Sequence, residues 1–588
     1  MARHHRRSDP ATEQLRIQLF ERLVDWREAH LAGLSAAGVT GGIIGYTAAY
    51  SPSLLPRPWG FQGFIAALSA MFGYQSGLLV SWMTGLLADL LGVHVHLRHG
   101  KRIWLAGGLL VLALLLAGIP LASLSGQRRT ARYCQVKGPG PSWAALSTGA
   151  ATVILALFAL QWRGTVATID WFTNHLKSRF VWALLARMLS TLIVLATIVL
   201  VFDQVILKGV CGVGKTASEH LDRTTPPGVD APTDPGRSGS ASSREAWDSL
   251  GLQGKRFVSG GPDRARIEEV TRQPALEPLR AYAALNGRSL EGIAQAAVAE
   301  MDRIGAWQRR AICIVTTTGR GNVNEWSASA FEYLTGGDCC TVATQYSGLP
   351  SAITLFTGKE VPVAASRLLF EAVESRLHEI PPDKRPRLYL AGESLGAYGS
   401  NGIFESPQDM TARIDGAVWL GTPDFTPMHE LLTDRRAPGS TVVDPVIDSG
   451  RQIRFAKNGR ELLSDEFGTP LEAWEHPRIV YLQNDTDPVV WWSTRLLWRR
   501  PEWLGARRVP ASPMAAMRWW PFVTFWQVAS DMPVCRNVPE GYGHKYHAAQ
   551  ITPAWAGVLG RPVSGDYSAI IAALLEDVTL KPVKVMGI

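Results

Sequence analysis

Apolar residues crowd into the first third of this 588-residue chain, in five stretches at roughly 31–50, 61–92, 103–125, 144–162 and 181–207. As helices rising about 1.5 Å per residue, each can cover the ~30 Å hydrocarbon slab of a bilayer. A mean hydropathy of +0.04 and 46% hydrophobic residues agree with a chain that lives partly in a membrane. Charge inside the stretches is scarce. Asp89 and Asp203 fall near ends, and Arg187 lies close enough to the start of the fifth to reach the interface. The expectation is a polar basic cytoplasmic tail over 1–30, without the pattern of a secretory signal, followed by a domain of about five transmembrane helices over 31–208.

A net charge of +8 would suit nucleic acid, but the arginines sit in the tail, in short loops and in one Trp-rich segment. They read as membrane-flanking charge, so membrane lipids, and no nucleic acid, are the expected partners. The tail, HVHLRHGKR and the loop with Arg163, Lys177 and Arg179 place the first residue inside. Five spans then put the remainder outside the cytoplasmic membrane. The loop GQRRTARYCQVKGPGPSW, with Arg128, Arg129, Arg132 and Lys137, opposes that orientation.

Residues 209–262, rich in Pro, Gly, Ser, Thr and Asp, have little to bury and read as a linker. It opens with GVCGVGKT, a fit to the phosphate-binding pattern G-x-x-x-x-G-K-[ST]. A working phosphate loop needs a strand before it and a helix after it, whereas here an apolar span precedes and a Pro-rich run follows. No nucleotide is expected, and Lys215 is assigned to the headgroup region.

From 263 onward the pattern alternates. SLEGIAQAAVAEMDRIGA, NEWSASAFEYLTGG and VAASRLLFEAVESRLHEIP have helical spacing; RAICIVTTTG, CCTVATQYS, RLYLA, GAVWLGTP and RIVYLQND read as buried strands. Alternation predicts a mostly parallel sheet covered by helices, an α/β domain over 263–588.

Within RLYLAGESLGAYGS, the motif G-x-S-x-G runs from Gly392 to Gly396 between a strand and a helix-capable stretch, making Ser394 the candidate nucleophile. Side chains at 392 and 396 would collide in so tight a turn. A serine needs an imidazole to accept its proton and a carboxylate to orient that imidazole. In chain order, the acid is Asp487 in YLQNDTDPVVWW, with Asp485 as alternate and Asp424 behind both. The base is His544 in GYGHKYH, with His547 as alternate. For the oxyanion, the backbone N–H of Leu395 is one donor, and the turn of Thr318, Gly319 and Arg320 in TTTGRG supplies the other; Arg320 reads equally well as a solvated loop residue.

The multi-span region together with TTTGRG, GDCCTVATQYSGLPS, RPRLYLAGESLG and GHKYHAAQITPAW resembles the actinobacterial membrane proteins of the α/β-hydrolase family that carry a dedicated N-terminal membrane domain. The resemblance covers most of the chain and implies a serine-hydrolase fold and membrane residence, without naming a substrate. LGTP stands where that family has G-P-P.

The segment at about 491–528, dense in Trp and Arg, lies between the candidate acid and base. It reads as a membrane-apposed lid, hence an amphiphilic acyl ester as substrate, or as a Trp-rich cap packed on the protein. A disulfide between Cys134 and Cys211 is chemically allowed under the favoured topology, and Cys339, Cys340 and Cys535 can include a second. His94, His96 and His99 read as loop charge, no spacing resembles a zinc site, and no cofactor is required. The expected activity is that of a membrane-bound serine hydrolase; the alternative is a scaffold or transport component that kept the fold without the chemistry.

Overall fold

The computed structural model describes residues 35–91, 101–177, 183–201, 224–350, 353–354, 358–504 and 512–577, together with the single positions 203, 204, 208, 209, 212, 216 and 222. The chain divides into two compact units. One comprises the residues through Ser51 with Pro58–Leu124 and Gly140–Phe158; the other comprises Pro52–Arg57, Ser125–Pro139 and everything from Ala159.

Five helices fall on the five apolar stretches: α1 (Ala36–Ala49), α2 (Trp59–Leu90), α3 (Lys101–Tyr133), α4 (Pro141–Lys177) and α5 (Ala183–Val201). In the first unit α1 and α2 touch backbone to backbone. A Cβ on Gly41 would sit 2.1 Å from the Gly73 carbonyl oxygen, and one on Gly45 2.0 Å from that of Ser69. Small residues at three- and four-residue spacing produce such contacts between helices in lipid.

Length and apolarity support two of the five expected spans. Among the described residues two helices are long and apolar enough to cross a membrane, Trp59–Ala88 and Pro141–Leu176. The 14 residues of α1 span only about 21 Å, and the apolar part of α5 is the shorter run Leu185–Val201. The arginine-bearing loop expected from Gly126 is instead helical through Tyr133, as the last turns of α3. Of GVCGVGKT, Gly209, Gly212 and Thr216 are helical, with the Thr216 hydroxyl donating to the Gly212 carbonyl at 3.0 Å. Lys215 and Cys211 lie outside the described residues, as do His94, His96 and His99.

The second unit is built on seven strands: β1 (Leu279–Ala283), β2 (Ala311–Thr316), β3 (Cys339–Thr344), β4 (Arg387–Glu393), β5 (Gly416–Leu420), β6 (Ile453–Ala456) and β7 (Arg478–Leu482). Their order is β1-β3-β2-β4-β5-β7-β6, every neighbour parallel. Side chains alternate between the two faces, as the pleat requires. Cys313, Tyr389, Val418 and Val480 join one buried cluster; Ile312, Leu390, Trp419 and Tyr481 join the other. Phe257 of α6 (Gly251–Ser259) belongs to the first cluster, and α7 (Leu290–Ile304) supplies Ile293 and Met301 to the second. Phe331 of α8 (Glu325–Thr335) returns to the first face and Leu369 and Phe370 of α9 (Glu360–His378) to the second. After β4 come the short α10 (Leu395–Asn401) and, beyond the sheet, α11 (Val523–Asp531). Then α12 (Ala548–Val558) and α13 (Ser568–Asp577) cover the first face through Trp555 and Leu574. Both faces are buried, so the strands read as continuous apolar runs.

From residue 224 the expected linker folds onto this sheet. Arg237 is buried, and its guanidinium donates to the carbonyls of Val258, Gly260 and Pro262 at 3.2, 2.7 and 3.0 Å. Ser238 N–H donates to the Arg280 carbonyl on β1 at 2.9 Å, and the Arg280 N–H to Gly236 at 3.1 Å. The segment covers the edge strand with hydrogen bonds rather than apolar area, which is why composition conceals it. The second unit also holds Pro52–Arg57 from between the first two helices. Ser53 and the Leu55 N–H donate to Asp531 at 2.5 and 3.3 Å.

The Trp-rich segment is a packed cap. Trp491, Trp492, Leu496, Trp503, Met514, Met517 and Val528 bury together with Leu54. The Trp491 indole donates to the Asn484 carbonyl at 2.9 Å and that of Trp519 to Leu496 at 3.0 Å. Trp498 alone among the large apolar side chains of 491–504 stays largely exposed, at 65%. Trp491, Trp492 and Trp503 are thus buried inside the protein, which is the packing expected of a Trp-rich cap.

Candidate active site

β4 ends at Glu393, and Ser394 turns the chain into α10 with φ 58° and ψ −121°. A serine at positive φ is strained by about 1–3 kcal/mol, and the surroundings enforce it. A Cβ on Gly396 would lie 2.2 Å from the Thr316 carbonyl oxygen of β2, and one on Gly392 2.7 Å from the backbone of Gly396. The Ser394 N–H donates to the Leu420 carbonyl at 2.8 Å, and the Gly421 N–H to Leu482 at 2.8 Å. These bonds carry the ladder past the strand ends and pin the turn at the carboxyl rim of the sheet.

Asp487 follows β7 and is fully buried. Its Oδ1 accepts from the Val489 N–H at 2.9 Å, capping the turn that begins at Pro488. Its Oδ2 lies 2.7 Å from Nδ1 of His544 and accepts the Tyr546 hydroxyl at 2.7 Å. The His544 loop is stitched to the Asp487 loop: Asn484 Nδ2 donates to the Gly543 carbonyl at 2.9 Å, and the Gly543 N–H donates to the Thr486 hydroxyl at 2.8 Å. The His544 N–H closes the loop onto Cys535 at 2.9 Å. Gly421, at φ +59°, leaves room for the pair, since a Cβ there would stand 2.6 Å from His544 Cε1 and 3.0 Å from Asp487 Oδ2.

The other nitrogen of the ring, Nε2, is buried without a hydrogen bond. The Glu393 carboxylate approaches it to 3.8 Å. Burial opposes protonation of His544, but Asp487 by charge and hydrogen bond, followed by Glu393, outweighs it and raises the imidazole above its ordinary value.

The alternates are engaged elsewhere. Asp485 Oδ2 accepts from Tyr133 at 2.6 Å and Ser512 at 2.7 Å, and its Oδ1 from Lys457 Nζ at 2.7 Å. His547 caps α12, its Nδ1 accepting from the Ala549 N–H at 3.0 Å. Asp424 is held up at about 7 by burial and the neighbouring Glu430. Its N–H donates to Val490 at 2.8 Å. In the TTTGRG turn the Thr318 N–H is spent on the Asn322 carbonyl at 3.1 Å, so as a backbone oxyanion donor it is corrected. Gly319 is buried and Arg320 half-buried beside it, while Leu395 is the first residue of α10. The described cysteines, Cys134, Cys313, Cys339, Cys340 and Cys535, are free and buried, which removes the bridge envisaged among the last three.

Four residues at this rim escaped the sequence reading. Gly421 was visible only as the glycine of LGTP, Glu393 as the free position of G-x-S-x-G, Tyr546 as a neighbour of His544, and Asn484 as a loop residue. None has a spacing that predicts its partner.

A seven-stranded parallel sheet with a strained serine after its central strand and a His–Asp pair on late loops is the architecture of an α/β-hydrolase. Sequence comparison agrees. The model of the alpha/beta-hydrolase family matches residues 279–568, and that of the alpha/beta-hydrolase family N-terminus matches residues 50–262, so the chain belongs to the α/β-hydrolase family. No curated protein and no solved structure matches it.

Proposed function

We propose that the chain is a membrane-resident serine hydrolase that forms an acyl-enzyme at Ser394. The observation that carries this reading is the buried 2.7 Å contact between His544 and Asp487 on the rim that also carries the strained Ser394. Asp487 holds the proton on Nδ1 and leaves the Nε2 lone pair to take the Ser394 proton. The freed oxygen attacks the acyl carbonyl, backbone N–H groups at Leu395 and in the Gly319–Arg320 turn receive the oxyanion, and His544 returns the proton to the leaving group. Water or an alcohol then releases the acyl group by the same steps reversed.

An apolar acyl group is supported by a run of aromatic contacts from α10 into the cap. Tyr398, four residues after Ser394, packs on Phe425 at 5.7 Å between ring centroids, Phe425 on Trp492 at 6.2 Å, and Trp492 on Phe525 at 5.2 Å. Membrane residence is supported by the outward faces of the long helices: Leu79, Val80, Trp82, Met83 and Leu87 of α2 are more than half exposed, as are Met188, Leu192, Val199 and Leu200 of α5. Apolar surface so continuous is stable against lipid, not water. If all five helices cross and the basic tail lies inside, the catalytic unit is extracytoplasmic.

The unbonded Nε2 is also what an inactive scaffold would show, although catalytic hydrogen bonds are often long before substrate binds. A fluorophosphonate probe on the full chain in detergent decides. The enzyme labels at Ser394 and the folded Ser394→Ala variant does not; absence of label on folded wild-type protein leaves the scaffold.

A further inference from the structure

The residue before the candidate nucleophile is a glutamate, and it is buried to 4% exposure at the end of the central strand. Such a side chain is carried into a core only if its charge has partners. Glu393 has two: Asn324 Nδ2 donates to Oε2 at 2.9 Å, and the guanidinium of Arg536 lies 3.4 Å from Oε1. The same Oε1 is 3.8 Å from His544 Nε2, the one ring nitrogen that Asp487 does not engage. Two carboxylates therefore bracket a single imidazole, one at each nitrogen. Opposite the lone pair of a neutral ring, the Glu393 carboxylate is unfavourable; opposite an imidazolium it is attractive.

We propose, resting on the assignment of Ser394, His544 and Asp487 above, that Glu393 is a positioning residue that acts through His544. Fixed by Asn324 and Arg536, its carboxylate stabilises the imidazolium that forms when His544 takes the Ser394 proton. Arg536 moderates it. Its guanidinium draws off part of the negative field, keeping His544 available as a base. The groups facing the ring are Asp487 after β7, Glu393 at the end of β4, Arg536 from the segment before the histidine loop, and Tyr546, edge-on at 5.9 Å with its hydroxyl on Asp487. A purely structural Glu393 would hold Asn324 and Arg536 in place without altering how the site titrates.

The test is the pH dependence of the second-order rate at which an alkyl fluorophosphonate labels Ser394 in the full chain. In that reaction the serine oxygen–phosphorus bond forms, the phosphorus–fluorine bond breaks, fluoride departs and the serine proton passes to His544 Nε2. Glu393→Gln keeps the length and a hydrogen-bonding carbonyl but drops the charge. The acid limb moves to lower pH and the plateau rate falls by about tenfold, the size expected for losing one charge near the imidazolium. Arg536→Gln, at a side chain 59% exposed, moves the limb the other way, to higher pH. Labelling of Glu393→Gln with an unmoved limb overturns the inference and leaves the hydrolase reading intact. If Glu393→Gln does not fold, an unmoved limb in Arg536→Gln overturns it. Wild-type protein that is folded yet unlabelled at every pH overturns both.

Discussion

Two polar clusters lie two residues apart in the chain, around Asp485 and Asp487, and are built from the same kinds of group. In the first, Lys457, Tyr133 and Ser512 occupy both oxygens of Asp485, and Lys457 also reaches the Tyr133 hydroxyl at 3.2 Å. In the second, Asp487 is as fully bonded, yet the chain of bonds stops at His544, whose Nε2 is buried without a hydrogen bond, 3.8 Å from the Glu393 carboxylate. A buried network with every group satisfied stabilises a fold. One that ends on a buried nitrogen without a partner leaves a polar atom whose missing contact calls for an explanation.

The largest expected effect breaks the second cluster. Asp487→Asn keeps the shape but favours the wrong imidazole tautomer, and labelling or ester turnover should fall about 10⁴-fold. Unchanged folding, checked by thermal melting, keeps the loss chemical; a loss under tenfold would move the acid elsewhere. The first cluster should respond in the opposite way. Asp485→Asn leaves Lys457 without its counter-charge and should destabilise the protein by about 3 kcal/mol, while the rate per folded molecule stays within about twofold. A rate collapse without destabilisation would reverse the two assignments.

The pH behaviour sharpens the contrast. Burial raises the Asp485 carboxyl, but Lys457, Tyr133 and Ser512 outweigh it and hold it below the ordinary aspartate value. The stability it contributes is in place above the unfolded value and is lost as pH falls through the lower folded one. His544 is raised, so activity, which needs the neutral ring, should rise with pH through a midpoint above about 6.5, the ordinary imidazole value. A midpoint at or below that value in a pH–rate profile counts against the paired carboxylates. The smallest effect is at the cap: Trp498→Ala should slow turnover of a vesicle-borne ester by about threefold and leave a short soluble ester unchanged.

Much of the sheet was legible. β2, β3, β4, β5 and β7 announce themselves as β-branched or apolar runs, and Leu290–Ile304, Glu325–Thr335 and Glu360–His378 as periodic helices. β1 and β6 did not, because LRAYA and IRFA are short and carry an arginine each. Arg280 is buried in an ion pair with Glu332 at 2.7 Å, and Arg454 is buried with its guanidinium hydrogen-bonded to backbone carbonyls, that of Gly450 at 2.7 Å, so residues that read as surface charge lie inside.

Local sequence alone determined the turn at Ser394, since glycines at 392 and 396 and the strand–helix change around them are short-range facts. It also determined the order of serine, acid and histidine. Which aspartate and which histidine meet was decided only by the tertiary structure: Asp485 and Asp487 have the same local chemistry, and so nearly do His544 and His547. The parallel sheet brings β4, β5 and β7 to one rim, Gly421 clears the space, and distant groups such as Tyr133 and Lys457 claim the competitor. Side-chain partners more than 50 residues away leave no local signature, because they are selected by packing and by the cost of leaving a buried charge unpaired.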